Sequence, residues 1–179
     1  MTSFDPQTGE PRWTVDGPSQ EFVGTPVYSE KAGLVFISSS WPKRHLLAIR
    51  PDGSGNVTET HVAWRDDKGA PYVPSMIVAG DFLLAVNNSG IAFCYEAATG
   101  EVYWRERLGK HHASPVLIDG LVYFINDDGQ VNVIKPGTEF NRVAQYELGE
   151  SCYASPAISD GQVFLRGFEH LFCIGRQVR

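Results

Sequence analysis

Four times along its 179 residues this chain repeats one phrase: a small residue beside proline, an apolar run, a Gly-marked turn, a second apolar run, another turn, then an aromatic residue. The openings are Thr25-Pro26-Val27-Tyr28, Pro74-Ser75-Met76-Ile77, Ser114-Pro115-Val116-Leu117 and Ser155-Pro156-Ala157-Ile158. The turn glycines that follow, Gly33, Gly80, Gly120 and Gly161, stand 47, 40 and 41 residues apart. A period near 40 with several short strands per unit is the signature of propeller blades, in which each unit buries its faces only against its neighbours. The repeat therefore constrains architecture before it says anything about chemistry.

The third unit shows the pattern most clearly. Alternation and turns predict strands over 114–118, 121–126, 130–134 and 143–148, an antiparallel four-stranded meander. The tetrads Asn126-Asp127-Asp128-Gly129 and Asn87-Asn88-Ser89-Gly90 suit hairpins that need positive φ. The expected fold is all-β: one propeller domain over 1–179, with four-stranded blades near 22–66, 72–108, 112–148 and 152–175, the last completed by a strand at 11–16. Thr-Gly-Glu with Trp four residues past the glycine occurs at Gly9/Trp13 and Gly100/Trp104, and Trp64 and Tyr146 are expected at the matching places. A large aromatic there fills the wedge between neighbouring sheets.

These phrases carry a resemblance. Small-residue-Pro openings, Gly turns and Thr-Gly-x-x-x-Trp resemble the blade motif of quinoprotein-type propellers, the PQQ-like repeats. Leu46 to Gly53, Thr60 to Arg65 and Ala154-Ser155-Pro156 resemble the C-terminal half of the bacterial PQQ-binding-like repeat proteins of planctomycete type. The resemblance implies a full ring of eight blades and about twice this length, so the chain reads as half a ring. It also implies relatives that are mostly exported, although nothing at Met1-Thr2-Ser3-Phe4-Asp5 reads as a secretory signal. A sensor propeller joined to a serine/threonine kinase, or a scaffold like the lipoprotein of outer-membrane assembly, falls within the same likeness.

The chain opens on a fourth strand and stops after a third. Pairing first and last segments in one sheet would remove both free edges. Within one chain this gives four blades; between two chains it gives an eight-bladed homodimer with exchanged N-terminal strands, and a partner half-propeller would serve equally. The homodimer is the expectation.

Composition narrows the function. A formal charge of −6 argues against nucleic acid, which needs clustered Lys and Arg. No apolar stretch is long enough to span a bilayer. Of three cysteines, Cys94, Cys152 and Cys173, Cys94 and Cys173 fall in one repeated slot two units apart, beyond disulfide reach, and both are expected as small buried hydrophobes.

The resembled dehydrogenases hold PQQ and Ca²⁺ with convergent carboxylates and an adjacent Cys-Cys pair. This chain has no Cys-Cys, and Asp127-Asp128 is explained by its turn, so neither cofactor is expected. Glu21, Glu59 and Glu139 lie scattered. His111-His112 is the best remaining chemical pair, but neighbours in an extended segment point opposite ways. A non-catalytic scaffold presenting loops to protein, peptide or glycan is thus expected. The alternative is a degenerate PQQ-dependent dehydrogenase or other channel-sited enzyme needing a second half-ring. Candidate binding residues lie where second-to-third-strand turns meet inter-blade connections: Trp41, Lys43, Arg44, Tyr72, His111, His112, Tyr153, Arg166 and Phe168. Two insertions, 38–44 and 51–56, lengthen the first unit and mark loops where scaffolds keep function.

Overall fold

The computed structural model describes residues 1–17 and 20–175, and every regular element in them is a strand. The leading hairpin is β1 (Thr2–Phe4) and β2 (Pro11–Thr14). Sheet 1 follows with β3 (Val27–Ser29), β4 (Leu34–Ser39), β5 (His45–Ile49) and β7 (Val62–Asp66), interrupted by β6 (Gly55–Asn56). Sheet 2 is β8 (Ile77–Ala79), β9 (Phe82–Val86), β10 (Ile91–Glu96) and β11 (Val102–Arg107). Sheet 3 is β12 (Val116–Ile118), β13 (Leu121–Ile125), β14 (Gln130–Ile134) and β15 (Arg142–Glu147). Sheet 4 holds β16 (Ala157–Ser159), β17 (Gln162–Arg166) and β18 (Leu171–Gly175). Each sheet pairs its strands antiparallel in chain order, as alternation and turns predict. The second-to-third-strand turns are tight enough to demand glycine: a Cβ on Gly129 would stand 1.9 Å from the Glu150 carbonyl oxygen, and its φ is +83°.

One irregularity recurs and identifies the leading hairpin. Third and fourth strands slip register between Ala48 and Ile49, Cys94 and Tyr95, and Val133 and Ile134. β1 and β2 slip in the same way between Ser3 and Phe4, with Trp13 opposite Ser3 as Trp104 is opposite Cys94 and Trp64 opposite Ala48. The hairpin is thus the outer half of a further blade standing in front of sheet 1, and its bulge bends it as in the complete sheets.

This placement corrects the expected closure. The N-terminal strand does not complete the C-terminal blade: β2 pairs with β1 on one edge and, in parallel, with β6 on the other. Both edges of β2 are taken, so β18 has no claim on it. The four-meander, all-β reading stands, but sheet 4 keeps three strands among the described residues and the array is an open arc.

The 51–56 insertion is what secures the hairpin. Beyond the β2–β6 pairing, the Trp13 indole N–H donates to the Pro51 carbonyl at 2.9 Å, the Val57 amide to the Thr14 carbonyl at 2.8 Å, and the Asp16 amide to Thr58 Oγ1 at 2.8 Å. Its length is spent on structure.

Sheets stack face to face through apolar layers. Trp13, Val15, Ile37, Leu47, Ile49 and Val57 join the hairpin to sheet 1. Leu46, Leu83 and Tyr95 belong to the layer between sheets 1 and 2; Leu84, Trp104, Phe124 and Ile134 to that between sheets 2 and 3. Ile125, Val131, Val133 and Leu165 lie between sheets 3 and 4. Tryptophans seal the first three junctions, each indole reaching across to a carbonyl of the following sheet's last turn: Trp13 to Pro51, Trp64 to Ala97 at 3.0 Å, Trp104 to Gly137 at 3.0 Å.

Near the other strand ends runs a second tie, built by the small residues beside proline. The Thr25 amide donates to Ser75 Oγ, the Ser75 amide to Ser114 Oγ and the Ser114 amide to Ser155 Oγ, each at 2.9 Å. The repeated serine thus has a packing role: its hydroxyl satisfies a backbone N–H of the preceding sheet, where strand ladders leave it unpaired.

The fourth junction differs. Val133 faces Ala144, so alanine occupies the tryptophan slot and Tyr146, expected there, lies two residues further along β15 with 61% of its surface exposed. The register also places Cys94, Val133 and Cys173 at one slot. Cys94 is buried there, and burial pushes its thiol up to about 12. Cys173, expected buried, is exposed because no sheet follows sheet 4 among the described residues.

Candidate functional site

Second-to-third-strand turns and inter-sheet connections gather on one side of the arc, as expected, because they bond to each other. Asn88 Oδ1 accepts from the Tyr72 and Val73 amides at 3.2 Å, and its Nδ2 donates to the His111 carbonyl at 3.3 Å. The Asp127 amide donates to the Lys110 carbonyl, the Cys152 amide to the Asp127 carbonyl, and the Phe168 amide to the Ser151 carbonyl. The rim is therefore a stitched surface with fixed backbone positions.

The candidate residues fall into two groups. Around sheets 1 and 2, Trp41 is 57% exposed and bridges Glu21 through the backbone, while the Tyr72 hydroxyl donates to the Glu21 carboxylate. That carboxylate raises the Tyr72 phenol above its ordinary range. Arg44 Nη1 donates to the Lys68 carbonyl at 3.4 Å, and the Lys43 charge lies close enough to act on His45. The 38–44 insertion thus presents Trp41 on a loop anchored to its own sheet's entry segment.

Around sheets 3 and 4 an aromatic run forms. The His112 ring lies 5.0 Å from Tyr153, and Tyr153 meets Phe168 edge-on at 5.2 Å. Tyr153 is 51% exposed and Phe168 62%. His112 is oriented by Asp127, whose two carboxylate oxygens both lie 3.0 Å from Nδ1. Arg166 sits beside the run and ties its turn, donating from Nη1 to the His170 carbonyl and from Nη2 to the Phe168 carbonyl.

His111 is not on this surface. It is fully buried, Nδ1 lies 2.6 Å from the Gly109 carbonyl oxygen, and its ring packs against the Phe124 edge. Burial pulls its imidazole below the ordinary range. The alternation argument anticipated that the two histidines diverge; which one turns inward is set by Phe124 in the sheet behind.

Asp127 is held by His112 and Glu21 by Tyr72, at separate places on the rim. Among the described residues one group, Glu150, Glu169 and His170, could bring three ligand atoms within 4.8 Å of one another. Glu150 there accepts from the His170 amide at 2.9 Å, and His170 Nδ1 lies 3.0 Å from its other oxygen. Calcium wants six or more oxygens; this arrangement caps a turn.

One feature escaped sequence reasoning. At the sheet 3/4 junction an apolar crevice of about 340 Å³ is lined by Tyr123, Ile125, Val131, Tyr146, Val163 and Ile174, with Glu147, Leu148 and Leu165. It lies at the one inter-sheet junction where alanine replaces tryptophan. That alanine was the available signal, hidden because Tyr146 shares its face of β15.

Among the described residues no helix is long and apolar enough to cross a membrane. Comparison with known proteins agrees with the repeat geometry. The family described as "Outer membrane protein assembly factor BamB", a PQQ-repeat family, matches residues 58–138. No curated protein matches the sequence. Among solved structures, BamB from Moraxella catarrhalis superposes with a TM-score of 0.75 at 16% identity, over 94% of this chain and 52% of that one. The computationally designed Ika8 protein gives 0.69 at 11% identity over 98% and 52%, and the designed Ika4 protein 0.66 at 11% over 94% and 99%. The chain spans about half the length of the Moraxella protein, and all but the whole of Ika4. The recurring register slip, the Trp-sealed junctions and these matches together make the chain a PQQ-like repeat β-propeller in fold.

Proposed function

We propose that residues 1–179 act as one non-catalytic propeller scaffold that binds an extended peptide or glycan across its stitched rim. The single observation that carries this reading is the exposed aromatic run His112–Tyr153–Phe168, in which Tyr153 is tilted against His112 and meets Phe168 edge-on. Aromatic side chains concentrate recognition energy because they bury large area for little lost rotamer freedom. The BamB-type fold supports a protein-interaction role of this kind. The test is an array of extended peptides and glycans probed with wild-type protein and with a Tyr153→Ala, Phe168→Ala double variant. Ligands are expected for the wild type and a loss of roughly tenfold or more in the variant, at unchanged melting temperature. Equal binding by both proteins would refute the assignment.

Assembly is the second part of the proposal. The serine ties run from Thr25 to Ser155 and would continue only if another sheet followed Ser155. A two-fold dimer, each copy's sheet 4 meeting the other's leading hairpin, supplies a following sheet for both copies and closes a ring of eight sheets with the two hairpins between them. A partner half-propeller would do the same. Light scattering on a size-exclusion column should return twice the chain mass; a single chain mass at micromolar concentration would remove the homodimer.

A further inference from the structure

A cleft of about 470 Å³ opens where the end of β7 meets β11, between two four-stranded sheets. Arg65 and Lys68 line it from the sheet 1 side, Val102 and Arg105 from the sheet 2 side. Among the described residues none of these three cations is in an ion pair, whereas Arg12 is paired with Asp5 and Lys31 with Asp81. Lys43 and Arg44 stand close by, Arg44 through its bond to the Lys68 carbonyl. Five of the chain's 15 Lys and Arg thus gather at one place in a protein of formal charge −6. Two carboxylates share the lining, and one is already satisfied within the protein: Asp66 accepts from the Tyr95 hydroxyl at 2.8 Å, the Lys68 amide at 2.9 Å and the Gly69 amide at 3.1 Å. The other, Asp67, is exposed. His45 adds no positive charge at pH 7, because burial and then the Lys43 charge pull its imidazole below the ordinary range, Asp67 opposing and Arg65 reinforcing the shift. Its buried Nε2 finds no hydrogen-bond partner among the described residues.

We propose that this cleft binds an extended, glutamate-rich peptide segment, its carboxylates held by Arg65, Lys68 and Arg105. The planar arginine fork matches a carboxylate with two parallel N–H···O bonds, and Val102 gives the methylene stem of a glutamate an apolar surface to lie on. Asp67 decides the class of anion. An extended peptide brings it backbone N–H groups together with the carboxylates that the cations take, whereas a phosphate sets a doubly charged group beside it. The local field acts over about 10 Å at 0.1 M salt, so the acidic remainder of the chain does not cancel it. The rim aromatics Tyr153 and Phe168 belong to the connections around sheets 3 and 4 and take no part, so either site can fail without the other.

The test is fluorescence anisotropy of fluorescein-labelled hexaglutamate and hexaglutamine with the whole chain. Wild type should favour hexaglutamate roughly tenfold or more, and added salt should weaken that binding. An Arg65→Ala, Arg105→Ala double variant should lose roughly tenfold, at unchanged melting temperature because both side chains are exposed. Lys68→Gln alone should lose severalfold and keeps the proposal testable if the double variant does not fold. Lys31→Ala, which removes a paired cation elsewhere, and Tyr153→Ala with Phe168→Ala should both bind hexaglutamate as the wild type does. Equal binding of the two peptides, or hexaglutamate binding that neither cleft variant weakens, would overturn the proposal. So would displacement of the label by inorganic phosphate at a lower concentration than by unlabelled hexaglutamate, because the cleft would then be a phosphate site.

Discussion

The junction between sheets 2 and 3 and the one between sheets 3 and 4 use the same repeat to opposite ends. At the first, Trp104 fills the outer wedge, bonds Gly137 and meets Phe140 edge-on at 5.1 Å. At the second, Ala144 stands at the same register and a crevice lined by Tyr146, Val163 and Ile174 opens between the sheets. Both keep the inner serine tie, at equal length. The comparison teaches that inner and outer halves of a junction are separable: the serine and the turn backbone position the sheets, and the outer aromatic decides whether the contact is closed or receptive.

The sharpest way to break the comparison is to turn the closed junction into the open one. Trp104→Ala should cost about 3–5 kcal/mol, the usual range for deleting a buried tryptophan, and chemical denaturation would read it as a lower midpoint. A loss below about 1 kcal/mol would mean that the slot carries little energy in either junction. A smaller effect distinguishes the junctions by pH. His111, on the connection between sheets 2 and 3, is buried with its imidazole depressed, and Asp127 opposes that shift only in part. The unfolded chain therefore takes up this proton first, so the stability is whole above pH 6.5 and is lost as pH falls toward the lower folded value. The melting temperature should drop between pH 7 and 5, and His111→Asn should flatten that slope. An unchanged slope would exclude His111 as its source.

Much of this was legible in the residues. Alternating apolar runs between Gly turns place the strands of sheet 3 within two residues, since the turn chemistry leaves few alternatives. The wedge at Trp13, Trp64 and Trp104 was equally visible. Tyr146 misled because residues two apart on a strand share a face, and the turn before β15 spans residues 135–141, two longer than its counterpart at 97–101. The closing strand misled for a different reason. A lone fourth strand near the N-terminus looks unpartnered in sequence, and the two short partners that claim it, three residues of β1 and two of β6, are too brief to show any period. Topology alone brings the turns and connections of the rim together, yet its aromatic run depends on ring distances between three separate segments, 112, 153 and 168, which no local pattern encodes.

The β6 clasp carries a consequence for how the molecule is born. Trp13 meets its carbonyl acceptor 38 residues later in the chain, and β2 gains its second neighbour only when Gly55 and Asn56 arrive. A two-stranded hairpin is at best marginally stable in water, so β1 and β2 gain their firm anchor only after most of sheet 1 has been made. The leading hairpin of the arc then locks in one step with its successor.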